Sequence, residues 1–171
     1  MKIAILVSGY SSDGRNVLTQ LGRLQMADLI LRAAKWFGCE PGLGFANEVI
    51  YFSANSSDYL EAVQLASGMN GDFANHFNLK ILECWGTAHS GSKASDLIEM
   101  LEQSERKFAF IFGFFSKDKE EKDDHTSIDQ YLSHWGIEAE GLPGYGPDSY
   151  MYLIDTVVKS VEHVSCCYSQ R

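Results

Sequence analysis

Positive charge is scarce in this sequence of 171 residues: 14 Lys and Arg stand against 23 Asp and Glu, a formal net charge of −9. A chain so short of cations offers no basic groove for nucleic acid and no footing on an anionic membrane surface. Its acidic balance suits neutral or cationic ligands, or a basic patch on a protein partner, and it also serves solubility. Long apolar runs are missing as well, since none approaches the roughly 20 residues that cross a bilayer. The opening stretch MKIAILVSGYSS has a single Lys and a short apolar run, Ile3–Val7, with no small-residue cleavage site behind it. It therefore reads as a buried first strand rather than a signal peptide. The four cysteines, Cys39, Cys84, Cys166 and Cys167, lack metal-ligand spacing, and so do His76, His125, His134 and His163. The expectation is a cytoplasmic protein with reduced thiols, no metal and no cofactor.

Hydrophobic residues make up 45% of the chain, enough for a core of its own, and a single domain spanning 1–171 is expected. Ile3–Ser8 is a continuous apolar run closed by Gly9, the pattern of a strand buried on both faces. Thr19 can cap a helix that Gly38 ends, with Leu21, Leu24, Ala27, Leu31 and Ala34 as its apolar stripe, widened by Ile30, Ala33 and Phe37. EVIYFSA (48–54) and LKILEC (79–84) read as strands, with a helix over 56–68 between them and a Gly/Ser loop, WGTAHSGS, after the second. KASDLIEMLEQS is an amphipathic helix with Leu97, Ile98 and Leu101 on one face. KFAFIFGFF (107–115) is the most hydrophobic strand and the expected centre of the sheet. A charged loop at 117–124, a short helix at 126–135 and two alternating segments, SYMYLID and VKSVEHVSCCY, complete the chain, the last pair as a hairpin. This β-α-β-α-β-α-β order predicts an α/β fold: a three-layer α/β/α sandwich, mostly parallel, with a C-terminal antiparallel strand or hairpin.

Four pieces in this order carry a family resemblance. LTQLGRLQMADL fits the pattern Leu-Thr-x-x-Gly-x-x-Gln at Leu18, Thr19, Gly22 and Gln25. VIYFSANSSDYLEAVQLA, KFAFIFGFF and LPGYGPDSYMYLID follow at matching positions. The sequence resembles the histidine phosphatase superfamily, the phosphoglycerate-mutase-like fold, and by size its short phosphohistidine-phosphatase-like branch. The resemblance implies a first strand ending in Arg-His-Gly, whose His attacks phosphorus, with two Arg and a second His cradling the phosphoryl oxygens. At those positions this sequence has Ser8 and Gly9, then Tyr10; Ser57 falls near the second Arg and Phe114 at the second His.

These replacements remove the chemistry. Gly9 has no side chain, and the hydroxyls of Ser8 and Tyr10 have no adjacent base to activate them. Each charge-assisted Arg bond contributes roughly 1.5–3 kcal/mol, so losing two weakens a phosphate pocket by about 3–6 kcal/mol, or two to four decades of affinity. Phe114 would add apolar bulk in place of a proton donor. Arg15, Asn16, Glu83 and His89 are the remaining candidates for the pocket rim, His89 by way of the loop after the third strand. CWGTAHSGS fails as a cysteine-phosphatase loop because position 90 is Ser where Arg is required. The expected protein is catalytically inactive and binds an unidentified small molecule or protein. One alternative is an active phosphatase of the same fold with a rearranged site. Another is a phosphate-loop transferase, since ILVSGYSSDGRNVL is similar to the phosphate loop of formyltransferases, although the catalytic Asn-His-Asp set of that family has no match here.

Overall fold

The structure, a computed structural model, describes residues 1–8, 20–38, 48–53, 88–90, 94–114, 128–138 and 148–166. In chain order the elements are β1 (Lys2–Ser8), α1 (Gln20–Phe37), β2 (Val49–Ser53), β3 (Ala88–Ser90), α2 (Ala94–Ser104), β4 (Phe108–Phe114), α3 (Ile128–His134), β5 (Tyr150–Asp155) and β6 (Ser160–Ser165).

Every residue from Ile3 to Val7 is buried, which is why β1 reads apolar throughout instead of alternating. Its side chains divide between two cores. Ala4 and Leu6 join Phe110 and Phe112 of β4 and Met26, Leu29, Ile30, Ala33 and Phe37 of α1. Ile3, Ile5 and Val7 join Ala109 and Ile111 of β4, Leu97, Ile98 and Leu101 of α2, and Tyr131 and Leu132 of α3. The period of two along a strand thus sends α1 to one face of the sheet and α2 with α3 to the other.

The six strands lie in the order β3-β2-β4-β1-β5-β6. The pairs β3/β2, β2/β4 and β4/β1 are parallel, whereas β1/β5 and β5/β6 are antiparallel. The sheet is therefore mixed, and β4 occupies the interior place its apolar sequence predicts. Sequence and structure differ at two points. Ala88–Ser90, read as part of a loop, is a short strand on the outer edge of β2; three residues carry no alternation, and pairing with β2 decides their conformation. The predicted strand at 79–84, the helix at 56–68 and the charged loop at 117–124 lie outside the described residues. The buried face of α1 includes the expected Ala27, Ile30, Ala33, Ala34 and Phe37 and adds Gly22, Gln25, Met26 and Leu29, while Leu21, Leu24 and Leu31 are half-buried on its flanks.

Both longer turns after helices use glycine in the left-handed region. Gly38 has φ +77° and its N–H donates to the Lys35 carbonyl at 3.1 Å. Gly136 has φ +63°; its N–H donates to the Ser133 carbonyl at 3.2 Å, and the Ile137 N–H donates to the Leu132 carbonyl at 2.9 Å. This is a Schellman cap closed by the apolar pair Leu132 and Ile137. Elsewhere, Lys107 and Phe108 both donate their N–H to the Glu48 carbonyl at 3.0 Å, which aligns the starts of β2 and β4. The Lys2 ammonium donates to the Trp36 carbonyl at 3.2 Å and lies 5.0 Å from its ring centroid, holding the end of α1 against the start of β1.

The β5–β6 hairpin turns through Thr156–Lys159. The Asp155 carboxylate accepts from the N–H groups of Val157 and Val158 at 3.0 and 3.2 Å. At the far end of β6 the Arg32 guanidinium donates to the Ser165 carbonyl at 2.6 Å, tying the edge strand to α1. His163 sits between two tyrosines, its ring centroid 5.1 Å from Tyr150 and 5.5 Å from Tyr152. Burial holds its imidazole below the ordinary histidine range, because the charged form loses water there. Among the described residues, no helix is long and apolar enough to cross a membrane.

Two measurements check this packing. The Tyr131 hydroxyl is buried and has no hydrogen-bond partner among the described residues. Tyr131→Phe removes an unsatisfied group, so urea unfolding should show unchanged stability or a gain of up to about 1 kcal/mol; a loss larger than that contradicts the packing. His163 binds protons less readily folded than unfolded. Its contribution is complete above the unfolded value of 6.5 and is lost as pH falls through the lower folded value. Melting temperature should therefore fall with acidification below 6.5, and His163→Gln should flatten that slope.

Candidate functional site

Ligands of open α/β sheets bind outside the carboxyl ends of the strands, where neighbouring strands send their connections to opposite faces. That condition is met once by adjacent parallel strands among the described residues. From β1 the chain passes to α1, packed on the face of Ala4 and Leu6. From β4 it passes to α3, packed on the face of Ile3 and Ile5. The crevice between the carboxyl ends of β1 and β4 is therefore the candidate site.

The register fixes its floor. Ser8 and Phe114 are directly opposed at the ends of β1 and β4. Ser53, the last described residue of β2, is opposite Phe112. On the other flank β5 begins with Tyr150 opposite Val7. Two strand ends that the sequence nominated separately thus lie side by side. Gly9, Tyr10, Arg15, Asn16, Ser57 and Glu83, also nominated, lie outside the described residues. His89 is in β3, opposite Phe52, rather than in a loop. Phe52 is opposite Ile111, which is opposite Ile5, so His89 is three strands, or about 14 Å, from β1.

One functional candidate has no counterpart among the nominated rim residues. Gln25 is fully buried in the second turn of α1. Its carboxamide nitrogen donates to the Asp148 carboxylate at 3.0 Å, and its oxygen accepts the Ser149 N–H at 3.0 Å. Ser149 is itself buried and directly precedes β5. A single amide thus holds the start of β5 against α1, one step from the level of Ser8. Gly22, one turn earlier, is buried on the same face of the helix. In sequence, Gln25 stood out only as part of the Leu-Thr-x-x-Gly-x-x-Gln pattern, and Asp148 carried no signal at all.

The electrostatics around the crevice are mixed. α1 has no acidic residue in its first turn, so the partial positive charge of its start is not offset by its own side chains. Asp148 is half-buried and brings a full negative charge from the other flank. Among the described residues, no group of three or more His, Cys, Asp and Glu side chains could hold a metal ion. Comparison of the chain with protein-family models, with curated proteins and with solved structures gives no match.

The Gln25 clamp has a measurable weight. Gln25→Met keeps the volume but leaves the buried Ser149 N–H without its acceptor and Asp148 without its donor. Urea unfolding should show a loss of about 2–4 kcal/mol. A loss below 0.5 kcal/mol, on the scale of an ordinary surface change, would mean that the clamp does not hold β5 in place.

Proposed function

We propose that this chain is a catalytically silent histidine-phosphatase-like domain that keeps the mouth of the fold as a binding site for a small molecule or a protein partner in the cytoplasm. One observation supports this most. The strand ends that the resemblance assigns to the nucleophile-bearing segment and to the second histidine are register partners, Ser8 and Phe114, at the crevice between β1 and β4. In this reading the helices over the two faces are the outer layers of an α/β/α sandwich around a mostly parallel sheet, and the β5–β6 hairpin is its antiparallel edge.

The chemistry follows from the residue types at those positions. Ser8, Gly9 and Phe114 supply neither a nucleophilic imidazole nor a guanidinium. A transferred phosphoryl group needs both an attacking atom and cationic donors on its equatorial oxygens. Serine and tyrosine hydroxyls beside an aromatic wall suit a ligand held by hydrogen bonds and apolar contact instead.

Assay with an aryl phosphate and with a phosphohistidine peptide tests the reading. Neither should be turned over above the buffer rate. Turnover that disappears in Ser8→Ala or Tyr10→Phe overturns it, because each change removes only a hydroxyl.

A further inference from the structure

We propose that Asp148, held by Gln25, is the charge-selective group of the mouth and that the ligand it recognises carries an ammonium or guanidinium group. This rests on the reading of the β1–β4 crevice as a binding site.

Position supports the assignment first. Tyr150, the first residue of β5, is opposite Val7, and Asp148 lies two residues before it, next to the carboxyl end of β1. Its carboxylate thus belongs to the end of the sheet at which a ligand of this fold class would enter. Orientation comes next. Gln25 is fully buried and grips both Asp148 and the neighbouring Ser149 N–H, each at 3.0 Å. A carboxylate on a loop is ordinarily free to turn away into water; this one is anchored by a side chain that cannot itself move without opening the core. Charge is the third part. The donor that anchors Asp148 is a neutral amide, so the negative charge is retained. Among the described residues, no Lys or Arg pairs with Asp148, and only one carboxylate oxygen accepts a hydrogen bond. The second oxygen accepts no hydrogen bond among the described residues, and on this proposal it takes a donor from the ligand. A full charge there exceeds the half-charge ascribed to the start of a helix, so the mouth favours cations over phosphate. The net charge of −9 adds to that preference at longer range.

The experiment is an amide chemical-shift titration of the full chain with two probes, agmatine and inorganic phosphate. Agmatine should shift the amides of Val7, Ser8, Phe114 and Ser149 saturably, and phosphate should leave them unmoved. Asp148→Asn keeps an acceptor for Gln25 and removes the charge, so it should weaken agmatine at least tenfold while the spectrum stays dispersed. As a check that needs no variant, raising NaCl from 0.05 to 0.5 M should weaken agmatine binding to the native chain. Saturable phosphate shifts at these amides, without agmatine shifts, would show a mouth that binds anions; the binding-site reading would stand and the role of Asp148 would fall. Agmatine binding that ignores both salt and Asp148→Asn also removes that role. If neither probe moves these amides, both the assignment and the site reading lose their support.

Discussion

The burial of β1 on both faces is the constraint from which the rest of this structure follows. A strand with no polar face needs a helix above and a helix below, and it needs a strand on each side to satisfy its backbone. Here α1 covers Ala4 and Leu6, while α2 and α3 cover Ile3, Ile5 and Val7. β4 and β5 complete its hydrogen bonding. Because β1 and β4 are parallel and their following helices go to opposite faces, the same packing that buries β1 opens a crevice at its carboxyl end. The site is thus a by-product of core formation, and its floor, Ser8 and Phe114, is as well determined as the sheet register.

What lines that crevice is a separate matter from what creates it. The framework constrains size and alternation, and residues at the strand tips are free of both demands. On the proposed reading, a nucleophile and two guanidinium groups could therefore be exchanged for Ser, Gly and Phe without disturbing the sheet beneath. The Gln25 clamp belongs to the framework in this sense, since a buried amide with unmatched partners costs about as much as a lost core contact. It is also the point where framework and lining meet, because the groups it satisfies belong to the segment that forms one wall of the mouth.

Much of the fold was legible in the sequence, and particular residues show why. The runs of β1 and β4 and the spacing of Leu97, Ile98 and Leu101 are direct imprints of burial. The hairpin was legible from two strand-like segments on either side of Thr156–Lys159, although only β6 alternates and β5 is buried along its length. β3 was not, since Ala88–Ser90 has neither length nor pattern and exists as a strand only by pairing with β2. The buried face of α1 was legible at Ala27, Ile30, Ala33, Ala34 and Phe37, but it was extended toward Leu21, Leu24 and Leu31 and missed Gly22 and Gln25, because hydropathy gives no weight to a buried glycine or glutamine. The cap at Gly136 was hidden in a glycine-rich stretch. At the site, Ser8 and Phe114 were picked out by the resemblance, and Ser8 also closes an apolar run. The Gln25–Asp148 pair could not, because its members are 123 residues apart and neither disturbs a local pattern.

The placement of β1 also bears on how the molecule is made. Of the described elements it leaves the ribosome first, yet both of its neighbours, β4 and β5, start more than a hundred residues later. At about 5–20 residues per second, translation takes roughly 5–20 s to supply the first of them. For that interval the most apolar segment of the amino-terminal region has an unpaired edge on each side, and α1 is the first element available to shelter it. The nascent chain therefore passes through a stage in which its future centre is an unpaired, apolar segment.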